Sequence, residues 1–197
     1  MDSIIYTNQD QHTWRSFLEG DKTSFEKIMK HHFAALFHYG TKFSKDKEFI
    51  KDCIQDLFLQ LWERRAYLSA DIVVKSYLLA SLRRRIHRMG TQQRVTELLK
   101  DSSDYFEMEF SIEEKFIQEE STLLLGQQIK MAIDSLPKRQ KEVIYLKFYQ
   151  GLERDQIAEI MDIAPQTISN LLQMAIKQLK KYWKHELISL LLPVLLQ

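Results

Sequence analysis

Apolar residues recur at helical intervals from early in the chain. Trp14, Phe17 and Leu18 form a short stripe, Gly20 and Asp21 interrupt it, and Phe25, Ile28, Met29, His32, Phe33, Leu36 and Phe37 resume it at steps of three and four. The pattern predicts a short helix followed by a longer one. It is most regular over Phe49, Ile50, Cys53, Ile54, Leu57, Phe58, Leu61 and Trp62, which give one helix a fully apolar face. Burying side chains of this kind contributes ~1.5–3 kcal/mol each before conformational entropy is subtracted, so this helix is the expected centre of an N-terminal core. Cys53 sits mid-stripe and reads as a small core residue rather than a reactive thiol. After the loop AYLSADI a third long helix carries Val74, Tyr77, Leu78, Ser81, Leu82, Ile86 and Met89 on its stripe, and Gly90 is its expected end.

Residues 91 to 118 are polar, acidic and weakly periodic, with a short helix expected near Ile112–Ile117; they read as a linker. The C-terminal half is punctuated more tightly. Leu123 to Leu136 predicts one helix, and Pro137 opens a second through Val143, Ile144, Leu146 and Phe148 that Gly151 closes. Ile157, Ala158, Ile160 and Met161 then predict a short helix, and Asp162-Ile163-Ala164 a turn. Pro165 starts a longer helix bearing Ile168, Leu171, Leu172, Ala175, Ile176 and Leu179. A short helix, a tight turn and a long helix make the helix-turn-helix pattern.

Composition agrees with an all-α chain: 5 glycines and 3 prolines among 197 residues leave few breakers. One cysteine excludes an internal disulfide framework and a multi-cysteine metal site, which favours a reducing compartment, with the cytoplasm as the expectation. The opening MDSIIYTNQD has no signal pattern, and the longest apolar run, Leu190–Leu196, is far short of a membrane span, so no membrane insertion is expected. Net charge is +1, but it is segregated: −2 over residues 1–20, +7 over 21–94, −7 over 95–120, +4 over 121–185 and −1 over 186–197. Two basic blocks flanking an acidic one suit two modules that each meet a polyanion, although on charge alone solvated helix surface is the simpler account.

Three exposed faces bear on that choice. The last long helix sets Gln166, Thr167, Ser169, Asn170 and Gln173 away from its apolar stripe, with Lys177, Lys180, Lys181 and Lys184 beyond. Amides and hydroxyls read base edges and lysines hold phosphates; the competing reading is the solvated side of a bundle. On the third N-terminal helix Arg83, Arg84, His87 and Arg88 crowd one side. Like charges so placed cost a few tenths of a kcal/mol per pair, which an anionic partner explains better than stability does. Tyr77 reads as core, and nearby Tyr67 as either core or a stacking platform for an unpaired base. On the polar side of the Phe49–Trp62 helix, Asp52, Gln55, Asp56, Leu59 and Glu63 form a ridge of carboxylates and amide around one leucine, which suits protein docking or is an ordinary exposed leucine.

Together these residues resemble the extracytoplasmic-function sigma factors of the sigma-70 superfamily, the promoter-recognition subunits of bacterial RNA polymerase, over about residues 10 to 185. Phe25–Phe43 resembles the first helix of sigma domain 2, Asp52–Arg64 the polymerase-binding helix and Ser76–Arg85 the helix that meets the melted upstream half of the promoter. Leu136-Pro137, Gly151-Leu152, Ile157–Met161 and the Thr167-Ile168 helix are similar to sigma domain 4, which binds the minus-35 element. The resemblance implies two small helical domains: 10–92 as sigma domain 2, 93–119 as an acidic linker near the RNA path, 120–185 as sigma domain 4 and 186–197 as an apolar tail. That tail is most simply a final helix packed back on domain 4. Asp52, Gln55, Asp56, Leu59 and Glu63 are then expected to dock on the clamp of core polymerase. Tyr67, Arg83, Arg84, His87 and Arg88 are expected to hold the opened minus-ten strand, and Gln166, Thr167, Ser169, Asn170, Gln173 and Lys177 to meet the minus-35 duplex. Core polymerase, promoter DNA and an anti-sigma factor are the implied partners, without an obligate homo-oligomer.

Several positions depart from the family pattern. Arg84 and Arg88 stand where Asn and a polar Asp or Asn are usual, which implies an unusual minus-ten preference. Ser169 stands where a basic residue is common, and Glu153 and Ala164 replace better helix caps. The alternative function is a stand-alone helix-turn-helix regulator acting without polymerase, which leaves the Asp52 ridge and the arginine cluster without a use. An enzyme is not expected: no glycine-rich phosphate loop, metal-spaced His or Cys set or nucleophile motif occurs, His31-His32 reads as a structural pair on a helix, and no cofactor or metal is implied.

Overall fold

The computed structural model describes residues 2–94, 106–107 and 130–180, and among them every regular element is helical. Most of the expected linker, its short helix near 112–117, the start of the Leu123–Leu136 helix, Lys181, Lys184 and the tail 186–197 lie outside the described residues. The chain divides into two compact units, Met1–Tyr105 with Asp155–Ile163, and Phe106–Arg154 with Ala164–Gln197.

The first unit is built on α1 (Asp2–Leu18), α2 (Lys22–Gly40), α3 (Lys47–Glu63), a 3₁₀ turn at Arg65–Tyr67 and α4 (Val74–Arg94). α1 starts well before the stripe at Trp14. Gly20, at φ +97°, takes the left-handed conformation that ends α1. Asp21 then caps α2 by accepting hydrogen bonds from the Thr23 and Ser24 amides, and Asp46 caps α3 through the Glu48 and Phe49 amides. Each such cap stabilises its helix by ~1 kcal/mol. Hydrogen bonds from Ser24, its side chain first, hold the Asp21 carboxyl below its ordinary range.

The apolar stripe of α3 is buried as its spacing predicts: Ile50, Cys53, Ile54, Leu57, Phe58 and Leu61 face inward. Trp14 and Phe17 from α1, Leu36 and Tyr39 from α2 and Leu78, Leu79 and Leu82 from α4 complete the core. Its aromatic part is continuous, with ring centroids 5.0 Å apart for Trp14–Phe17, 5.5 Å for Phe17–Phe25 and 5.1 Å for Phe25–Trp62. Burial pushes the Cys53 thiol up to about 11 and its Sγ lies 3.7 Å from Met89 Sδ, as suits an inert core residue. Burial also pushes His32 down to about 4, leaving a neutral imidazole.

Gly90 does not end α4. The helix continues to Arg94, because this glycine adds only the ~1 kcal/mol propensity cost of an interior position and keeps negative φ. Gly40 matters more, since a Cβ there would come within 2.6 Å of Ile50 Cγ2. That glycine lets α2 and α3 approach.

In the second unit residues 130–134 are helical, and α5 (Lys138–Ile144) begins one residue after Pro137. The helix expected through Phe148 widens into a π-helical turn at Tyr145–Tyr149, closed by the Gln150 amide donating to Tyr145 O at 3.0 Å. The wider turn keeps Tyr145 inside, 5.7 Å from the Phe106 ring, while Tyr149 is 60% exposed. Gln150 Nε2 donates to Tyr145 Oη at 2.7 Å, although desolvation of the Tyr145 phenol still raises its pKa. Gly151, at φ +67°, closes the segment as its sequence position predicts. α7 (Pro165–Lys180) buries Ile168, Ala175 and Leu179, packs on α5, and is tied down where Gln178 Nε2 donates to Ser135 O at 2.9 Å. α6 (Arg154–Met161), which the sequence places with 120–185, falls almost wholly in the first unit.

Gly40→Ala is expected to lower the unfolding free energy by ~1–3 kcal/mol through overpacking, read from urea denaturation. In an Ile50→Ala background the same substitution should cost much less, since the opposing methyl is gone.

Candidate functional site

The solvent side of α3 keeps Asp52, Gln55, Leu59 and Glu63 exposed, with Leu59 at 57%. Beside this ridge α2 and α3 leave an open apolar groove of about 630 Å³, floored by Phe25, Met29, Ile54, Phe58 and Trp62 and edged by Lys22, Glu26, Phe33, Gln55 and Leu59. The sequence marks the ridge but not the groove. Phe33 and Met29 sit at core spacing on α2, and only the separation of the two helices shows that Phe33 remains 41% exposed.

Asp56 differs from its neighbours on the ridge. Its Oδ2 accepts from Arg85 Nη1 at 2.8 Å, and the Arg85 side chain is 7% exposed against 50% for Asp56. An arginine so buried needs an anion, and this carboxylate supplies it. Asp56 therefore faces α4 as well as solvent. The sequence gives no hint of this, because Arg85 is the last of three adjacent arginines and nothing local singles it out.

α4 also divides the basic cluster expected on one face. Arg84 and Arg88 are exposed, whereas Arg83 is 8% exposed and the half-buried His87 sets its ring 5.5 Å from that of Phe43. Arg84 and Arg88 lie ~100° round the helix from Arg83 and His87, and α4 packs on both α2 and α3, so only one edge of the cluster reaches solvent. On that edge Arg84, Arg85 and Arg88 meet Arg64 of the α3 terminus around a cavity of about 410 Å³, with Tyr77, Ser81 and Gln60 in its wall. Arg84 Nη2 donates to Ser81 Oγ at 3.3 Å. Four guanidinium groups around one small cavity provide planar donors suited to phosphate or base oxygens.

Tyr67, left open between core and platform, is 90% exposed at the end of the 3₁₀ turn, next to Arg65, whose guanidinium stacks over Trp62 at 4.4 Å. Trp14 Nε1 donates to Ser69 O at 3.0 Å and Arg15 pairs with Asp71 at 3.5 Å, so the loop after Tyr67 is held to α1. Tyr77 is half-buried, its ring 6.0 Å from Trp14, and reaches both the core and the basic cavity.

Between α6 and α7 the turn Asp162–Ala164 is tight, with Asp162 at φ 54° and the Ile163 amide donating to Ala158 O at 3.1 Å. Gln166, Thr167, Asn170, Gln173 and Lys177 are exposed on α7, and Gln166 Nε2 donates to Asn170 Oδ1 at 3.3 Å. Ser169 is the exception among the expected readers: it is half-buried and its hydroxyl donates back to Pro165 O at 3.4 Å. Glu153, a poor cap by sequence, pairs with Lys147 Nζ at 3.2 Å. No helix of the described residues is long and apolar enough to cross a membrane.

Residues 126–179 match the family described as Sigma-70, region 4, a span that contains α6, the turn and all of α7 but Lys180. The fold is similar to that of CnrH in its complex with the cytosolic domain of CnrY, with a TM-score of 0.57 and 15% identity over 87% of this chain and 95% of that one. It is also similar to the sigma factor RpoE in complex with the anti-sigma factor NepR from Bartonella quintana, with a TM-score of 0.57 and 17% identity over 82% of this chain and 98% of that one. No curated protein matches by sequence.

Asp56→Ala is expected to destabilise the protein by ~1–3 kcal/mol in urea melts because it strands a buried guanidinium. Leu59→Ser on the same helix should change stability by less than ~0.5 kcal/mol.

Proposed function

We infer that this chain, a member of the sigma-70 family carrying that family's region 4, is an extracytoplasmic-function sigma factor that binds core RNA polymerase and directs it to specific promoters. The family consists of non-enzymatic initiation factors. The observation that carries the reading is the region 4 match across α6, the turn and α7, on a helix whose outer row is amide and hydroxyl followed by Lys177.

The first unit supports the same assignment. Its apolar groove and the Asp52, Gln55, Leu59 and Glu63 ridge suit a helical protein partner such as the polymerase clamp, while Asp56 serves by holding Arg85. The Arg64, Arg84, Arg85 and Arg88 cavity with Tyr67 at its approach suits an unpaired, phosphate-bearing strand, the opened minus-ten element. Arg83 and His87 act from the inner flank of α4, through packing. The exposure of Gln166, Thr167, Asn170, Gln173 and Lys177 along one side of α7 supports a role for them at the minus-35 duplex, with Ser169 shaping α7. Sigma domain 2 is thus assigned to 10–92, the linker to 93–119 and sigma domain 4 to 120–185. RpoE is held by an anti-sigma factor, and a partner of that kind suits this chain too. The cytoplasm, where polymerase works, is the matching location.

Core polymerase mixed with the purified chain should initiate at promoters that core alone ignores, read by in vitro transcription over a promoter library. The chain should be retained on immobilised core and Leu59→Glu should abolish that retention; a parent chain that core does not retain at all would point to a regulator acting without polymerase. Arg84→Ala with Arg88→Ala should flatten the salt dependence of open-complex formation by ~0.9 in log–log slope per lost phosphate contact. Alanine at Asn170 or Gln173 should instead change preference among upstream sequences by ~1–3 kcal/mol where a bidentate base contact is lost.

A further inference from the structure

His31 and His32 look like a structural pair in the sequence, but α1 brings them a third group. Asp10 Oδ1 lies 3.9 Å from His31 Nε2 and Asp10 Oδ2 lies 4.0 Å from His32 Nε2. The two imidazole rings stand 4.8 Å apart at 85°, and one ligand atom from each of the three residues falls within 4.8 Å of the other two. These separations exceed hydrogen-bond length, so the carboxylate bonds to neither ring. They are close to what a metal spans: bonds of ~2.0–2.2 Å to nitrogen and oxygen in tetrahedral geometry set ligand atoms ~3.3–3.5 Å apart. Drawing ligand atoms that lie up to 4.8 Å apart in to that spacing takes side-chain rotations that move them by ~0.5–1.4 Å.

We propose that Asp10, His31 and His32 form a binding site for a divalent transition metal of the zinc class, clamping α1 to α2. Two nitrogens and one oxygen suit zinc and its neighbours rather than magnesium or calcium, which require oxygen shells. The side-chain exposures run from 5% at His32 through 36% at Asp10 to 53% at His31, so the site has an inner wall and an open mouth where water completes the coordination. Lys75 also acts electrostatically on His32 and opposes the added charge, which makes the site one of moderate rather than extreme affinity.

The full chain, stripped with chelator, is titrated with zinc chloride by calorimetry, and urea melts are recorded with and without the ion. One equivalent should bind and raise the melting midpoint, magnesium should not substitute, and Asp10→Asn and His31→Ala should each weaken zinc binding by about tenfold or more. Both positions have solvent-facing side chains, so the metal-free variants should still unfold cooperatively. The assignment is overturned if the stripped protein takes up no zinc, if magnesium binds as well, or if either variant binds zinc as tightly as the parent chain.

Discussion

The burial of one face of α3 sets the terms for everything else in the first unit. Ile50, Cys53, Ile54, Leu57, Phe58 and Leu61 turn inward between α2 and α4, and the close approach at Gly40 fixes how near α2 comes. A helix held this way has a single outer edge. Asp52, Gln55, Leu59 and Glu63 are on that edge because the helical period puts them there, and their exposure follows from packing on the opposite side. The groove beside them arises from the same arrangement, since α2 and α3 diverge enough to leave Phe25, Phe58 and Trp62 at its floor.

Charge is then distributed by that packing rather than by sequence neighbourhood. α4 carries Arg83, Arg84, Arg85 and Arg88 within six positions, yet they have three environments. Arg83 is turned inward, Arg85 is buried against the Asp56 carboxylate, and Arg84 and Arg88 look outward. The Asp56–Arg85 pair links α3 with α4. The exposed ridge and the basic cavity are thereby held to one frame, with Arg64 closing the cavity from the end of α3.

The second unit works by a different economy. α7 turns few charges outward and presents mainly Gln166, Thr167, Asn170 and Gln173, whose hydrogen-bonding groups are directional. Orientation matters more for such groups than for lysines. The anchoring of α7 through Gln178 to Ser135 and its packing on α5 hold that orientation.

Local patterns in the chain determined the helices, their caps and much of the surface chemistry. Asp21 and Asp46 cap where they stand, Gly151 closes its segment, the α3 stripe faces inward, and the row from Gln166 to Lys177 faces out, because each depends only on backbone conformation and a period of 3.6 residues. Tertiary structure decided what depends on residues far apart in sequence. It buried Arg85 against Asp56, divided Arg83 and His87 from Arg84 and Arg88, exposed Tyr67 and brought Asp10 to the two histidines. Helical periodicity says which residues share a side, but only the neighbouring helices determine which sides remain open to solvent.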